Sequence, residues 1–149
     1  MKQLPSDEYE VIERAYQRLM WAGQKKFGIL LAEHNLTLPQ FFVLAAIHQR
    51  GTGCPMGTLA KEMFQSYPTM TGIVDRLKTA GLVERSDDPE DRRKVVVSIT
   101  RSGQQLLHRA MVSRREQMIR GFARFSANER REFLRLLTIY LETLEKENV

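Results

Sequence analysis

The sequence has little cysteine and no long apolar run, and each shortage excludes a class of protein. A single cysteine, Cys54, occurs among 149 residues, so the chain cannot form a disulfide framework or a multi-cysteine zinc cage. The longest apolar stretch, Phe41 to Ile47, is far shorter than the roughly 20 residues that a membrane-spanning helix needs. Acidic residues near the N-terminus replace the basic flank and apolar segment of an export signal. We therefore expect a cytoplasmic protein with no membrane partner.

The composition is that of a folded domain. Hydrophobic residues make up 42% of the chain and charged residues 28%, which is enough apolar material to bury a core. The length corresponds to about one domain. The net charge of +5 suggests a polyanionic partner, but most of the excess lies in residues 102–149, which hold nine basic and six acidic side chains. Net charge therefore does not locate a binding face.

Hydrophobic spacing and turn residues predict a mainly α fold with one β-hairpin, in the order α, α, α, α, hairpin, α, α. Capping boxes at Thr37 to Gln40 and Ser126 to Glu129 predict the starts of the second and last helices. A cluster of acidic residues and proline at 87–91 predicts the turn of the hairpin. The remaining helices are predicted at about 7–33, 56–64, 68–80 and 100–125, and the two strands at about 82–85 and 94–99.

The third and fourth helices are short and joined by a tight turn. In a helix-turn-helix, the first such helix braces the second, which can enter a DNA major groove. If Met70, Val74 and Leu77 face the core, the second helix turns hydroxyl groups and a cation outward. A solvated helix face is the alternative, although such faces usually carry more Glu and Lys. The predicted DNA contacts on this helix are Ser66, Tyr67, Thr69, Thr71 and Arg76.

The hairpin tip changes from acidic to basic residues. An arginine at such a tip suits a narrow minor groove, whose negative potential attracts guanidinium groups. A neighbouring carboxylate can hold that arginine in one orientation. An ordinary surface loop can have the same composition. The predicted DNA-binding residues of the tip are Asp91, Arg92, Arg93 and Lys94.

Three spaced motifs resemble those of the MarR family of bacterial transcription regulators, named for multiple antibiotic resistance. Asp91 to Gly103 matches the wing signature D-x-R-x-x-x-V-x-[LI]-T-x-x-G at every fixed position. Thr71 to Val83 is similar to the recognition helix and its Gly-Leu-Val exit, and Leu36 to Phe41 is similar to the start of the second helix. The resemblance covers essentially the whole chain. Gly72 departs from it, because many members carry a larger, often basic residue there.

The resemblance implies a winged helix-turn-helix homodimer that binds double-stranded DNA. Residues 1–35 are expected to form an N-terminal dimerisation helix, 36–100 the DNA-binding domain and 101–149 the C-terminal dimerisation helices. Apolar stripes on the long terminal helices, which one chain cannot cover, independently favour a dimer. Two recognition helices would enter successive major grooves of a pseudo-palindromic operator, with Arg93 in the minor groove and Asp91 positioning it. The expected function is sequence-specific repression, with release by a small hydrophobic or phenolic effector and without a cofactor.

Other candidate sites are weaker. Aromatic and methionine residues near the helix junction predict an effector pocket, with ordinary core packing as the alternative for each. Cys54 lies in a predicted loop, whereas the family's sensing cysteine typically lies in the N-terminal helix, so redox sensing is not expected. The histidines are too widely spaced to predict a metal site. The predicted effector-binding residues are Met20, Trp21, Phe27, Phe41 and Phe42.

Two other classes of function are consistent with parts of the pattern. A winged-helix module can dock on protein and never touch DNA, although the basic cluster Arg92 to Lys94 argues against this class. An enzyme would need a phosphate loop, a cluster of metal ligands or a nucleophile paired with a base, and none stands out. We therefore expect no catalysis.

Overall fold

The computed structural model describes residues 6–51, 53–88, 91 and 94–147. Within these ranges the predicted order of helices and hairpin is confirmed, with one additional short strand. The chain divides into two compact units between Met111 and Val112. The elements are α1 (Ser6–Glu33), α2 (Leu38–Arg50), β1 (Cys54–Pro55), α3 (Met56–Glu62), α4 (Tyr67–Thr79), β2 (Val83–Asp87), β3 (Val95–Ile99), α5 (Arg101–Phe122) and α6 (Ala127–Glu147).

The three strands form one antiparallel sheet in the order β1-β3-β2. Val97 lies at its centre, fully buried, with Cys54 of β1 on one side and Arg85 of β2 on the other as its paired residues. The expectation that Cys54 lies in a loop is therefore wrong. A two-residue strand is too short to show an alternating pattern, and its pairing depends on a strand distant in sequence.

In the part of the first unit that the structure describes, every buried side chain is apolar. This core joins the C-terminal end of α1 and the first turns of α5 to α2, α3, α4 and the sheet. Phe27 and Phe41 meet edge to face with ring centroids 4.9 Å apart. Each fully buried large side chain stabilises the fold by about 1.5 to 3 kcal/mol. The largest fully buried residues are Phe41, Leu31, Leu44, Ile47, Leu59, Met70, Leu77 and Leu107.

Two long helical faces are not buried within the chain. From Asp7 to Lys26 every residue of α1 is exposed, and burial begins at Phe27. In the second unit every residue of α6 from Ala127 to Lys146 is exposed. These faces include the large apolar residues Tyr9, Val11, Ile12, Tyr16, Leu19, Met20 and Trp21 on α1, and Phe133, Leu134, Leu136, Leu137, Ile139, Tyr140, Leu141 and Leu144 on α6.

Both predicted capping boxes are confirmed. At α2 the Thr37 amide donates to Gln40 Oε1 at 2.8 Å and the Gln40 amide donates to Thr37 Oγ1 at 3.4 Å. At α6 the Ser126 amide donates to Glu129 Oε2 at 2.7 Å. Hydrogen bonds from Ser126 hold the pKa of Glu129 below its usual value. The helix starts were therefore predictable from local hydrogen-bonding chemistry.

In the described ranges, no single helix is long and apolar enough to cross a membrane. The α1 segment from Asp7 and α2 meet the length and composition test only as a pair, which is bent by 79°.

A close backbone approach joins the start of α5 to the turn that follows α4. Thr100 donates through Oγ1 to the Gly81 carbonyl at 2.7 Å and through its amide to the Leu82 carbonyl at 3.0 Å. The Gly103 amide in turn donates to Thr100 Oγ1 at 3.1 Å. A Cβ on Gly103 would lie 2.2 Å from the Leu82 carbonyl oxygen. The Thr-x-x-Gly part of the wing signature is therefore a helix cap combined with a contact that tolerates no side chain.

We expect Gly103→Ala to lower the free energy of unfolding by about 1 to 3 kcal/mol, because the new methyl group overlaps backbone that cannot move aside. The matched control is Gly72→Ala, since a Cβ on Gly72 would meet no atom within 4 Å. That change should raise the free energy of unfolding by about 0.5 to 1 kcal/mol through helix propensity. Urea unfolding at one protein concentration measures both. A shift of the two midpoints in the same direction would contradict this role of Gly103.

Candidate nucleic-acid interface

Helix α4 presents the face that the sequence predicted. Met70, Val74 and Leu77 are fully buried, and Ile73 is half-buried against the same core. The opposite side of the helix is exposed from Tyr67 to Lys78, apart from the half-buried Thr71. The core contacts therefore fix which side chains α4 offers to a partner.

The first turn of α4 is rich in hydroxyl groups that are held in place. Ser66 is the N-cap, and its Oγ accepts from the Thr69 amide at 3.2 Å. The hydroxyls of Ser66 and Thr69 are hydrogen-bonded to each other at 2.8 Å. Each hydroxyl oxygen keeps further acceptor capacity, and the positive end of the helix dipole favours a phosphate there. Tyr67, beside them, is exposed.

The middle of the exposed face is occupied by Gly72. It is three residues before Asp75 and four before Arg76, so it lies between them on the helix surface. The Thr71 hydroxyl is turned back on its own helix and donates to the Tyr67 carbonyl at 2.9 Å. Open space surrounds Gly72 on this side, since a Cβ would meet nothing within 4 Å. A partner can therefore approach the backbone of α4 closely at its centre.

Arg85 of β2 braces α4 against the hairpin. Its Nη1 lies 2.8 Å from Asp75 Oδ1, and its Nη2 donates to the Thr71 carbonyl at 3.3 Å. The Arg85 side chain is 22% exposed, whereas that of Asp75 is 55% exposed. One guanidinium group thus holds two successive turns of α4 from the strand that leads into the hairpin tip.

The brace also leaves one polar group unsatisfied. Arg85 Nε is buried and has no hydrogen-bond partner among the described residues. Such a group costs about 1 to 3 kcal/mol, so the position is not optimised for stability alone.

Sequence reasoning did not assign Arg85 a role. The alternation of β2 shows which residues share a face, but the pairing with Asp75 depends on how α4 packs against the strand.

The base of the hairpin tip is closed by backbone hydrogen bonds. The Asp88 amide donates to the Lys94 carbonyl at 3.0 Å, and the Lys94 amide donates to the Asp91 carbonyl at 2.8 Å. The Asp91 carboxylate lies 3.6 Å from Lys94 Nζ. Arg92 and Arg93, the two predicted DNA contacts at the tip, lie outside the described residues, as do Pro89 and Glu90.

The structure brings part of α4 and part of the hairpin to one groove. Tyr67, Asp88 and Lys94 line an open groove of about 900 Å³, together with Lys61 and Phe64 of the α3 segment. Two of the predicted DNA contacts, Tyr67 and Lys94, therefore share a surface although 27 positions separate them in the chain. Phe64 is a second residue that sequence reasoning did not assign.

The five predicted effector residues occupy different environments. Phe27 and Phe41 are core residues, and the Phe42 ring lies 5.6 Å from that of Phe41. Phe42 is half exposed and lines a groove of about 230 Å³ beside α4. Met20 and Trp21 are exposed on α1, where the Lys25 ammonium lies 5.0 Å from the Trp21 ring centroid.

Cys54 lies in strand β1 of the sheet, and its side chain is fully buried. Burial raises the pKa of its thiol, Arg50 lowers it by a smaller amount, and Glu62 raises it further. A raised pKa reduces the thiolate fraction that reacts with oxidants. Among the described residues no group of three or more His, Cys, Asp or Glu side chains is arranged to hold a metal ion.

Comparison with known proteins agrees with this architecture. The model of the MarR family matches residues 36–95. The HTH-type transcriptional repressor NicR of Pseudomonas putida is 33% identical over 145 residues, which is 95% of this chain and 91% of that protein. A MarR family protein from Bacillus stearothermophilus has a similar structure, with a TM-score of 0.85 and 20% identity over 96% of this chain and 99% of that one. A mutant of Staphylococcus aureus MepR bound to an oligodeoxyribonucleotide has a TM-score of 0.69 and 20% identity, covering 89% of this chain and 97% of that one.

The structural matches establish the winged helix fold, and the match to NicR extends over nearly the whole of both chains. The sequence prediction of a regulator rather than an enzyme is thereby confirmed. The chain belongs to the MarR family of transcription regulators.

Proposed function

We propose that the protein is a homodimeric repressor that binds a pseudo-palindromic operator in double-stranded DNA. The observation that carries this proposal is the held geometry of α4. Its hydroxyl-rich first turn and open centre face outward, while Arg85 ties it to the hairpin that carries Lys94. An α-helix fits the major groove of B-DNA, so α4 is the reading element of the proposal.

The proposed contacts divide into two kinds. Ser66 and Thr69 offer hydroxyl groups to base edges or phosphates, Thr71 offers its methyl group to a base edge, and Arg76 offers a cation to the backbone. Tyr67 and Lys94 meet the DNA from the groove that they share. Because Gly72 adds no side chain at the centre of α4, its backbone can lie close to the base edges.

The hairpin tip is the proposed minor-groove contact. Arg93 enters the groove, Arg92 and Lys94 neutralise phosphates, and Asp91 positions the basic residues beside it. The proximity of the Asp91 carboxylate to Lys94 Nζ supports a positioning role for Asp91 at the described end of the tip.

The exposed apolar faces of α1 and α6 support the dimer. Exposed apolar area on this scale marks an association surface, and a second copy of the chain can cover it. In this assignment residues 1–35 and 101–149 dimerise and residues 36–100 bind DNA. A two-fold dimer places its recognition helices about 34 Å apart, which matches half-sites one helical turn apart. Because the proposed partner is chromosomal DNA, the proposed site of action is the cytoplasm.

The release step is assigned to a small hydrophobic or phenolic effector. The groove beside Phe42 includes Met70 and Ile73 of α4 among its lining residues, so a ligand there contacts the recognition helix directly. Its volume of about 230 Å³ exceeds the roughly 150 Å³ that holds benzene in an engineered cavity. A ligand that prefers one placement of α4 shifts the equilibrium between binding and non-binding states.

If the protein binds DNA as proposed, its affinity for duplex DNA should fall strongly with salt concentration, and Arg93→Ala should reduce this dependence. In a fluorescence titration with duplex DNA from the promoter nearest its own gene, the variant should bind about tenfold more weakly, with a salt slope smaller by about 1. Lys146→Ala, which removes an exposed cation at the end of α6, is the control. Equal binding by wild type and Arg93→Ala would refute the wing assignment, and a folded dimer that binds no DNA would favour a protein-docking module.

Repeating the titration with a one-ring aromatic acid tests the release step, which Phe42→Ala should weaken.

The contact of Arg85 with α4 predicts a change in DNA affinity that is opposite in sign to the one expected from charge alone. Asp75→Asn removes a negative charge from the DNA-facing side of α4, which by charge alone should tighten binding to phosphate. Because the change also breaks the ion pair and leaves Arg85 bound to α4 only through the Thr71 carbonyl, we expect DNA affinity to fall by about fivefold to tenfold, as it should for Arg85→Met. The same DNA titration measures both variants. Tighter binding by Asp75→Asn would show that the ion pair has no positioning role.

The dimer proposal is tested by the mass in solution. Sedimentation equilibrium should give twice the chain mass for the wild type. Leu137→Glu places a charge on the apolar face of α6 and should shift the protein toward monomer. Glu142→Lys, on the polar side of α6 opposite that face, should leave the dimer intact. A monomeric wild type, or equal association by the two variants, would contradict the assignment of α6.

A further inference from the structure

Three helices of the first unit end in the same backbone arrangement, and one of them ends on an unusual residue. α1, α3 and α4 each close with a residue of positive φ, at Asn35 (55°), Phe64 (51°) and Gly81 (71°). In each case the residue and its successor donate amide hydrogen bonds back into the last turn, which is the Schellman arrangement. Glycine and asparagine tolerate this conformation, whereas a bulky side chain is strained in it.

Phe64 completes the cap of α3 fully in spite of that strain. Its amide donates to the Lys61 carbonyl at 3.2 Å, and the Gln65 amide donates to the Ala60 carbonyl at 2.9 Å. Glycine would make the same two bonds without the steric cost of a Cβ. The Phe64 ring does not offset the cost by packing, because the residue is 94% exposed. Strained residues of this kind concentrate at functional sites.

The position of Phe64 connects it with the proposed DNA interface. It precedes Ser66, the N-cap of α4, by two residues. It lines the groove of about 900 Å³ that also contains Tyr67, Lys61 and Lys94. The two acids of this groove are already engaged: the Glu62 carboxylate pairs with Arg50, and the Asp88 carboxylate accepts from the Asp91 amide. Lys61 has no ion-pair partner among the residues that the structure describes.

We propose that Phe64 is a specificity-determining DNA contact whose ring packs against a thymine methyl group at the edge of the operator's major groove. This inference rests on the proposed function. The thymine C5 methyl is the apolar group that base edges present in the major groove, and an exposed apolar ring beside the reading helix is suited to bind it. Lys61 and Lys94 flank the ring and neutralise the adjacent phosphates. The strain at Phe64 is thus retained because the ring acts on DNA and not on the fold.

Phe64→Gly tests the inference because it should move stability and DNA affinity in opposite directions. Relief of the strained cap should raise the melting temperature by about 3 °C. Loss of the ring should weaken operator binding by about fourfold, the value of one buried methyl contact. Phe64→Ala keeps the strained backbone, so it should lose the same affinity without the gain in melting temperature. Asn35→Gly, at the corresponding cap of α1, is the control and should bind DNA as the wild type does.

An operator in which deoxyuridine replaces thymine identifies the group contacted. The wild type should lose affinity on this substitution. Phe64→Gly should lose about fourfold less, because this variant has no ring to contact the thymine methyl group in the first place. Equal loss in the two proteins would overturn the thymine assignment. Unchanged operator binding by Phe64→Gly, or a melting temperature that does not rise, would overturn the inference while the proposed function stands. If the wild type binds no duplex, both the proposed function and the role of Phe64 are overturned. If Phe64→Gly becomes a monomer, the ring belongs to an interface between chains and not to the DNA interface.

Discussion

The carbonyl groups of Gly81 and Leu82 connect the turn that follows α4 to the start of α5. Both residues lie between the end of α4 at Thr79 and the start of β2 at Val83. Their carbonyl groups accept both hydrogen bonds that Thr100 donates at the start of α5. Because Gly103 lets the backbones of α5 and this turn come so close, the recognition helix and the second strand of the hairpin share one anchor. A two-stranded hairpin is marginally stable by itself, so this anchor and the pairing of β1 with β3 give the wing a defined place beside α4.

The brace of Arg85 depends on that anchor. A guanidinium group can bridge Asp75 and the Thr71 carbonyl only if β2 runs alongside α4 at a fixed distance. The ion pair adds little net stability, because the Asp75 side chain is 55% exposed and water screens the attraction of an exposed pair. Its geometry is useful where orientation matters, and in the proposed function α4 needs its orientation set before it contacts DNA. The unsatisfied Nε of Arg85 and the strained cap at Phe64 both lie on elements that border this helix. Each lowers stability, and each places a side chain where the proposed function uses it.

The two units of the chain show how unevenly burial is distributed. The described residues of the first unit enclose an apolar core around the sheet and α2 to α4. In the second, the rings of Phe122, Phe125 and Phe133 cluster, but α6 leaves its apolar residues in water. A helix with such a face is rarely stable alone in water, since packing supplies most helical stability. In the proposed dimer, a second copy of the chain covers this face.

Local chemistry explains which features were readable in the sequence. Capping boxes, the period of α4 and the alternation of β3 each depend on residues a few positions apart, so the sequence by itself determined the helix starts, the buried face of the reading helix and the family signature. Three features depend on chain segments that meet only after folding: the pairing of Cys54 with Val97, the bridge from Arg85 to Asp75, and the groove shared by Tyr67 and Lys94. The left-handed cap at Phe64 was not predicted either, because a phenylalanine gives no local signal for that conformation. Tertiary structure decided the first three, because their partners lie far apart in the sequence. The Phe64 cap escaped sequence reasoning for another reason: its hydrogen bonds are local, but its residue type is atypical of such a cap.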